Sequence, residues 1–217
     1  KKSPADRKNN LAALEPDREI PPIAFNRPYV VAASTRDGEE KVVVRAWRKA
    51  GREDYLLVIV PRHPKRLSRI LRDLKGTRIN VRSRGETSDT DAEVYLADTF
   101  GELERFIAGA DLVFMGGSLV PKGGQNLLEP AAQGKAVIVG PHMDNFQTET
   151  ALLKEQRAVC QVQSEEELVG AFRRFLEEPA AREPMGGAAR RIVLERSDLA
   201  ERYLAELEAC LPDAFPD

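Results

Sequence analysis

The chain has 217 residues, 42% of them hydrophobic and 31% charged, which is an ordinary globular composition for one large domain or two small ones. Its formal net charge of −2 argues against a chain whose main role is to bind nucleic acid. No run approaches the roughly 18 apolar residues of a membrane span, and the first ten residues lack the apolar centre of a signal peptide.

Short apolar runs alternate with helical patterns along the chain. The predicted strands lie at 29–34, 55–60, 78–83, 92–98, 111–116, 136–140 and 158–162. Helices are predicted at 39–49, 64–75 and 101–110, briefly within 116–130, after Asn145, at 164–178, and from about Glu183 to Leu211. Strands that are apolar on both faces and are separated by helices indicate a parallel sheet covered on both sides. The predicted fold class is therefore α/β, with a doubly wound, mostly parallel, Rossmann-like sheet.

The domain division follows from where this alternation begins. Residues 1–28 are mostly polar and are interpreted as an arm or as the remnant of an interdomain linker. Residues 29–217 are predicted to form one Rossmann-like domain with a helical tail. No GxGxxG sequence follows the first strand, so the usual dinucleotide fingerprint is absent.

Five strand-to-helix loops are rich in glycine, proline and small polar residues. They are STRDGEE at 34–40, PRHP at 61–64, DTFGE at 98–102, GGSLVPKGGQNLLEP at 116–130 and GPHMDNF at 140–146. Four of the five carry a cation or a histidine. Parallel strands deliver such loops to one edge of the sheet, where ligands bind in open α/β folds. The sequence therefore predicts a binding site at this edge.

Several of these residues also have plain structural explanations. Ser34 and Thr35 could cap the next helix, whose first turn carries Glu39 and Glu40. The basic residues of 64–75 are typical of a solvated helix face, and a membrane-surface role is the minor alternative.

The histidines and cysteines give no strong signal for chemistry. His63 and His142 are single histidines, which more often have structural roles than catalytic ones. Cys160 and Cys210 are far apart and show no metal-ligand spacing, which is typical of a reduced cytosolic chain.

The glycine-rich stretch 116–130 fits a ligand site best. The glycine pairs at 116–117 and 123–124 would let the backbone turn sharply and come close to a ligand. The start of the following helix would offer N–H groups and a partial positive charge to phosphate. Asn126 and Glu129 have capping-box spacing, but Pro130 disfavours that cap and could leave both side chains for a ligand. This pattern favours a nucleotide.

The five loops, in this order and spacing, resemble the C-terminal half of the 3-deoxy-D-manno-octulosonic acid (Kdo) transferases. The resemblance extends from about Tyr29 to Phe146 and more loosely over the helical tail. It implies the donor-binding half of a GT-B glycosyltransferase, which transfers Kdo from CMP-Kdo to a lipid A precursor at the cytoplasmic face of the bacterial inner membrane.

The resemblance also implies which residues contact CMP. By similarity these are Pro61, Arg62, Phe100, Gly101, Glu102, Asn126, Leu127, Leu128 and Glu129, with Ser34, Gly117 and Ser118 as possible additional neighbours of the donor. Neither a metal nor another cofactor is expected. Two residues depart from the family pattern: Gln125 stands where histidine is usual, and Phe100 where methionine is common.

The same resemblance implies that parts of the enzyme lie outside this chain. The catalytic base, the acceptor surface and most membrane contact are expected in an N-terminal domain, so this chain alone should bind CMP without transferring sugar. Two alternatives remain open. One is the donor domain of a GT-B enzyme that uses a UDP-sugar, and the other is a non-catalytic nucleotide-binding module.

Overall fold

The structure is a computed structural model that describes residues 19–87 and 91–210, with side chains described as far as residue 196. The first eighteen residues of the predicted arm and the predicted helix end at Leu211 lie outside the described residues. Within the described residues, no helix is both long enough and apolar enough to cross a membrane.

Seven strands and seven α-helices make up the described chain, and a helix separates most successive strands. The strands are β1 (Tyr29–Thr35), β2 (Leu56–Pro61), β3 (Ile79–Val81), β4 (Val94–Leu96), β5 (Leu112–Met115), β6 (Val137–Val139) and β7 (Cys160–Gln161). The helices are α1 (Glu39–Ala50), α2 (Leu67–Asp73), α3 (Leu103–Gly109), α4 (Leu128–Ala132), α5 (Gln147–Glu155), α6 (Glu165–Glu177) and α7 (Pro179–Cys210).

The strands form a single sheet in the order β3-β4-β2-β1-β5-β6-β7, and every pair is parallel. The chain winds outward from β1 to one side through β2, and later to the other side through β5. The strand order thus reverses between β1 and β5. This arrangement confirms the predicted α/β fold class with a doubly wound parallel sheet.

Both faces of the sheet are covered because successive strand residues point to opposite sides. In β1, Val31 and Ala33 pack with the core formed by α3, α4, α5 and the later part of α7. Val30 and Ala32 pack on the other side, with α1, α2 and α6. All four of these β1 side chains are fully buried, which explains why the strands are apolar without alternation.

Several predicted elements are shorter in the structure than in the sequence pattern, and two of them lengthen loops beside the sheet. The strand predicted at 78–83 is observed as Ile79–Val81, and residues 82–84 form a 3₁₀ turn that Gly85 ends with φ +69°. The helix predicted at 64–75 begins as a 3₁₀ turn at Pro64–Arg66 before α2. In both places the chain turns early at the carboxyl edge of the sheet, so these residues belong to the loops.

Residues 19–28, the described part of the predicted arm, lie against the domain. The Ile23 N–H donates to the Arg105 carbonyl at 3.1 Å, and the Tyr29 hydroxyl donates to the Ile23 carbonyl at 2.8 Å. The Phe25 ring packs edge-on against the rings of Tyr29 and Tyr95. Apolar and backbone contacts therefore fix the path by which the chain enters β1.

Candidate functional site

The five predicted loops leave the sheet at one edge, because all seven strands run in the same direction. Four of them form two regions, and the fifth, residues 140–146, packs against the loop 116–130. The switch crevice lies between the ends of β1 and β5 and is bounded by residues 34–40 and 116–119. The outer rim consists of residues 61–63, 98–104 and 125–129.

The switch crevice is filled by the side chain of Glu39, which is fully buried. Its Oε1 accepts hydrogen bonds from the N–H groups of Ser118 at 3.0 Å and Leu119 at 2.8 Å. Its Oε2 accepts from the N–H groups of Gly117 at 2.6 Å and Arg36 at 2.7 Å. Burial raises the pKa of Glu39, and these four hydrogen bonds oppose that rise. Two acceptor bonds on each oxygen suit the ionised carboxylate.

The neighbouring Glu40 has separate partners. It is 3% exposed, and its Oε1 accepts from the Thr35 hydroxyl at 2.9 Å and from Arg66 Nη2 at 2.8 Å. The residue that caps α1 is Gly38, with φ 90° and no side-chain cap hydrogen bond. The expectation that Ser34 or Thr35 caps this helix is therefore wrong, because Thr35 instead donates to Glu40.

The glycines of the stretch 116–130 are explained by close approaches within the chain. A Cβ on Gly116 would lie 2.6 Å from Thr35 Cα, and one on Gly124 would lie 2.5 Å from Met143 Sδ. Gly123 has φ 79°, and a Cβ there would meet the Asn145 side chain at 2.3 Å. The N–H groups at 117–119 are already bound by Glu39. The backbone freedom predicted to serve a ligand serves, at these positions, the packing of loop on loop.

Ser118 and Ser34 also lie inside the closed region. The Ser118 hydroxyl donates to the Met115 carbonyl and accepts from the Gly140 N–H at 2.8 Å, and the residue is fully buried. Ser34 is 7% exposed and adopts φ 53°, where the register between β1 and β2 shifts. The structure thus places the possible additional donor neighbours, Ser34, Gly117 and Ser118, in the switch crevice.

The outer rim brings together Arg62, Asn126 and Glu129. The Asn126 amide donates to Glu129 Oε1 at 3.0 Å, and Asn126 Oδ1 accepts from the Leu128 N–H at 3.1 Å. Burial raises the pKa of Glu129, whereas Asn126 and the positive charge of Arg62 lower it. Arg62 is exposed, and its N–H donates to the Thr35 carbonyl at 3.0 Å. A carboxylate held by one amide keeps acceptor capacity for further donors.

Pro61, Leu127 and Leu128 are buried parts of the same region. Pro61 is the last residue of β2, Leu127 is fully buried, and Leu128 begins α4. α4 has only five residues, so its amino terminus contributes less helix dipole than the sequence pattern suggested.

The loop 98–102 presents backbone and an aromatic ring to solvent. Phe100 is 75% exposed, and Gly101 adopts φ 80°. The Glu102 carboxylate is paired with the Arg82 guanidinium through both oxygens and also accepts from the Thr99 hydroxyl. Chiefly because of Arg82, the pKa of Glu102 falls to about 2. The Glu102 side chain is therefore engaged within the chain, and its backbone carbonyl accepts from the N–H groups of Arg105 and Phe106 at 3.1 Å.

Three arginines, Arg36, Arg62 and Arg66, surround His63 where the switch crevice meets the outer rim. Arg36 Nη1 lies 2.8 Å from His63 Nε2. Desolvation, followed by the charges of Arg36, Arg62 and Arg66, lowers the pKa of His63, so the neutral ring can accept this hydrogen bond from Arg36. The cationic side chains make this part of the edge suitable for an anionic ligand.

A cavity of about 730 Å³ borders the outer rim. It lies between the chain segment 23–26, Tyr95 of β4 and the residues that follow β3 and β4, including Arg82 and Glu102. Among the described residues, no group of three or more His, Cys, Asp or Glu side chains is placed to hold a metal ion.

Comparison with known proteins decides the family. No protein-family model matches the chain. The 3-deoxy-D-manno-octulosonic acid transferase of Haemophilus influenzae is 35% identical over 191 residues, which are 86% of this chain and 45% of that protein. The crystal structure of the C-terminal CMP-Kdo binding domain of WaaA from Acinetobacter baumannii is 31% identical, with a TM-score of 0.73, and the match covers 88% of this chain and 95% of that one. The chain belongs to the Kdo transferase family.

This assignment confirms the resemblance read from the five loops. A second Kdo transferase, from Bordetella pertussis, is 32% identical over 193 residues, which are 85% of this chain and 45% of that protein. The chain therefore spans about half the length of these two curated Kdo transferases. Anabaena Alr3699/HepE, solved with UDP-glucose, has a TM-score of 0.58 at 16% identity and shows a shared fold alone.

Within this Kdo transferase chain, the two departures from the family pattern have different surroundings. Gln125 is partly buried, and its Nε2 lies 3.1 Å from the Gly124 carbonyl, beside Gly117. Phe100 is exposed on the outer rim. Sequence reasoning missed the role of Glu39, which it interpreted only as an acidic residue in a first helical turn. The signal available was a pair of adjacent carboxylates in the short stretch after the first strand, in a chain with a glycine-rich loop after a later strand.

Proposed function

We propose that this chain is the donor-binding half of a Kdo transferase and that it binds CMP-Kdo at the outer rim. The observation that carries the proposal is the match to the CMP-Kdo binding domain of WaaA, which covers 95% of that domain. The grouping of Arg62 and Glu129 with the loop 98–102 at one edge supports it. In this proposal residues 29–217 form the donor domain and residues 1–28 connect it to an N-terminal half.

Each group on the outer rim has a proposed task. Arg62 would pair with the phosphate and stabilise the negative charge of the departing CMP. Glu129, held by Asn126, would accept hydrogen bonds from the ribose hydroxyls. The backbone at 100–102 would contact the cytosine edge, because the Glu102 side chain is bound to Arg82. Pro61, Leu127 and Leu128 would shape the apolar floor.

The rest of the reaction is proposed to involve the N-terminal half. That half would supply the catalytic base, receive the lipid A precursor and contact the cytoplasmic face of the inner membrane. This chain alone would then bind CMP without transferring Kdo. The proposal requires no metal and no further cofactor.

Calorimetric titration with CMP tests the proposal, with UMP and UDP as competing nucleotides and with EDTA present in a parallel series. We expect saturable CMP binding that EDTA leaves unchanged and that Arg62→Ala and Glu129→Ala each weaken at least about tenfold. The control variants are Arg72→Ala and Glu155→Ala, exposed residues on α2 and α5 that should leave the affinity unchanged. UDP binding as tight as CMP binding would favour the UDP-sugar alternative, and no CMP binding would contradict the proposal.

A further inference from the structure

The switch crevice lies at the position where open α/β sheets usually bind their ligands. The strand order reverses between β1 and β5, and this reversal creates a crevice at the carboxyl ends of the strands. In this protein the crevice holds the fully buried Glu39 carboxylate. A side chain from the first residue of α1 therefore occupies the space that faces the loop after β5.

Three successive N–H groups of the loop after β5 point at this carboxylate. They belong to Gly117, Ser118 and Leu119, at 2.6, 3.0 and 2.8 Å from the Glu39 oxygens. Successive backbone N–H groups that converge in this way form an anion-binding nest. The anion in the nest is supplied by the chain itself, 78 to 80 residues earlier in the sequence.

The loop 117–119, which Glu39 binds, is connected to the outer rim through one further hydrogen bond. The Gly124 N–H donates to the Gly117 carbonyl at 2.8 Å. Gly124 immediately precedes the segment 125–129, which carries Asn126 and Glu129. Fixing the backbone at 117 thus fixes the point from which the nucleotide-binding segment starts.

We propose that Glu39 is a positioning residue for the nucleotide site: as an internal anion, it locks the loop 117–119 and thereby holds Asn126 and Glu129 in place on the outer rim. This inference rests on the proposed function, because it assumes that the outer rim binds CMP. Glu39 itself does not touch the nucleotide. It acts before the ligand arrives, by keeping the loop in its binding conformation.

Glu40 provides a matched control within the same helical turn. It is buried to a similar degree, 3% against 0% exposed, but its carboxylate binds Thr35 and Arg66. Glu39→Gln keeps the shape of the side chain and turns one acceptor oxygen into an NH₂ donor that faces N–H groups. Glu40→Gln makes the same chemical change next to it. A difference between the two variants therefore reports the hydrogen bonds between Glu39 and the loop 117–119, rather than the general effect of changing a buried carboxylate.

Two measurements on the full chain test the inference: amide hydrogen exchange resolved by residue, and CMP titration. In the wild type without CMP, we expect the amides of 117–119 to exchange as slowly as those of the central strands. Glu39→Gln should speed exchange at these three amides roughly a hundredfold and weaken CMP binding about tenfold. Glu40→Gln should leave both quantities within about twofold of the wild type.

The outcomes separate this inference from the proposed function. If the wild type fails to bind CMP, the proposed function fails. If the wild type binds CMP and Glu39→Gln binds it equally well, or keeps the 117–119 amides protected, only the positioning role is overturned. If Glu39→Gln fails to fold, hydrogen exchange in the wild type still tests the positioning role. Rapid exchange of the 117–119 amides would show that Glu39 does not hold this loop.

Discussion

The switch crevice and the outer rim lie side by side at the same edge of the sheet, yet their polar groups are used in opposite ways. In the crevice, Glu39, Ser118 and the backbone of 117–119 bind one another, and the Glu39 and Ser118 side chains are fully buried. On the outer rim, Arg62 and Phe100 are exposed. Both regions are rich in the residues that suggest ligand binding. Their difference shows that a glycine-rich loop after a strand offers its N–H groups to a ligand only if the chain has not already supplied an acceptor.

Of the changes made within the two regions, one in the closely packed crevice has the largest expected effect. Gly116→Ala would place a Cβ 2.6 Å from Thr35 Cα, a backbone atom that cannot move aside. We expect a loss of about 2–3 kcal/mol in the free energy of unfolding, measured by urea denaturation. The matched control is Gly170→Ala on the exposed side of α6, where a Cβ meets nothing within 4 Å and should stabilise the helix by about 0.5–1 kcal/mol. Equal effects of the two substitutions would mean that the crevice is not closed.

The Arg82–Glu102 pair gives a smaller, pH-dependent effect on the outer rim. The pKa of Glu102 lies at about 2, below its ordinary value of 4.5. A lowered pKa contributes stability that is present above the ordinary value and is lost as the pH falls through the folded-state value. Relative to Glu102→Gln, the wild type should therefore lose about 1–2 kcal/mol between pH 4.5 and pH 2, after allowance for solvent screening of this pair.

Urea denaturation of both proteins across this pH range measures the effect. Because other carboxylates titrate in the same range, the informative quantity is the difference between the two curves. Parallel curves would show that the salt bridge contributes nothing to stability.

The open side of the outer rim gives the smallest expected effect. Phe100→Ala should change the free energy of unfolding by less than about 0.5 kcal/mol, because the ring is 75% exposed. The same substitution at the fully buried Phe106, six residues further along, should cost about 3–5 kcal/mol. Thermal and urea unfolding of both variants check this. A large loss at Phe100 would indicate that this loop is packed, and the distinction between the two regions would fail there.

The strands and their succession along the chain were predictable because the signal is local. Each strand is a short run of apolar residues, and a fully buried parallel strand needs no more than that. The ends were less predictable. Residues 82–84 continue the pattern of β3, but the chain turns there and Arg82 pairs with Glu102. Nothing in the sequence around Arg82 announces a partner twenty residues away.

The placement of the loops at one edge was predictable as well, since parallel strands allow no other arrangement. Arg62 and Glu129 could be assigned to the same neighbourhood on this ground, and the structure brings them within electrostatic reach of each other. Their contact with a nucleotide stays a prediction. The role of the glycines was only half predicted: their backbone freedom is used, but the atoms that approach them are those of Thr35, Asn145 and Met143.

The sequence by itself determined the α/β class, the order of the strands' hydrophobic runs, the common edge for five loops and the resemblance to Kdo transferases. These depend on periodicity, on spacing and on the order of motifs, all of which are written along the chain. Only the tertiary structure decided that Glu39 closes the crevice between β1 and β5. That outcome depends on hydrogen bonds from the N–H groups of 117–119 to a carboxylate 78 to 80 positions earlier. These bonds can form only once the sheet has brought the two segments together.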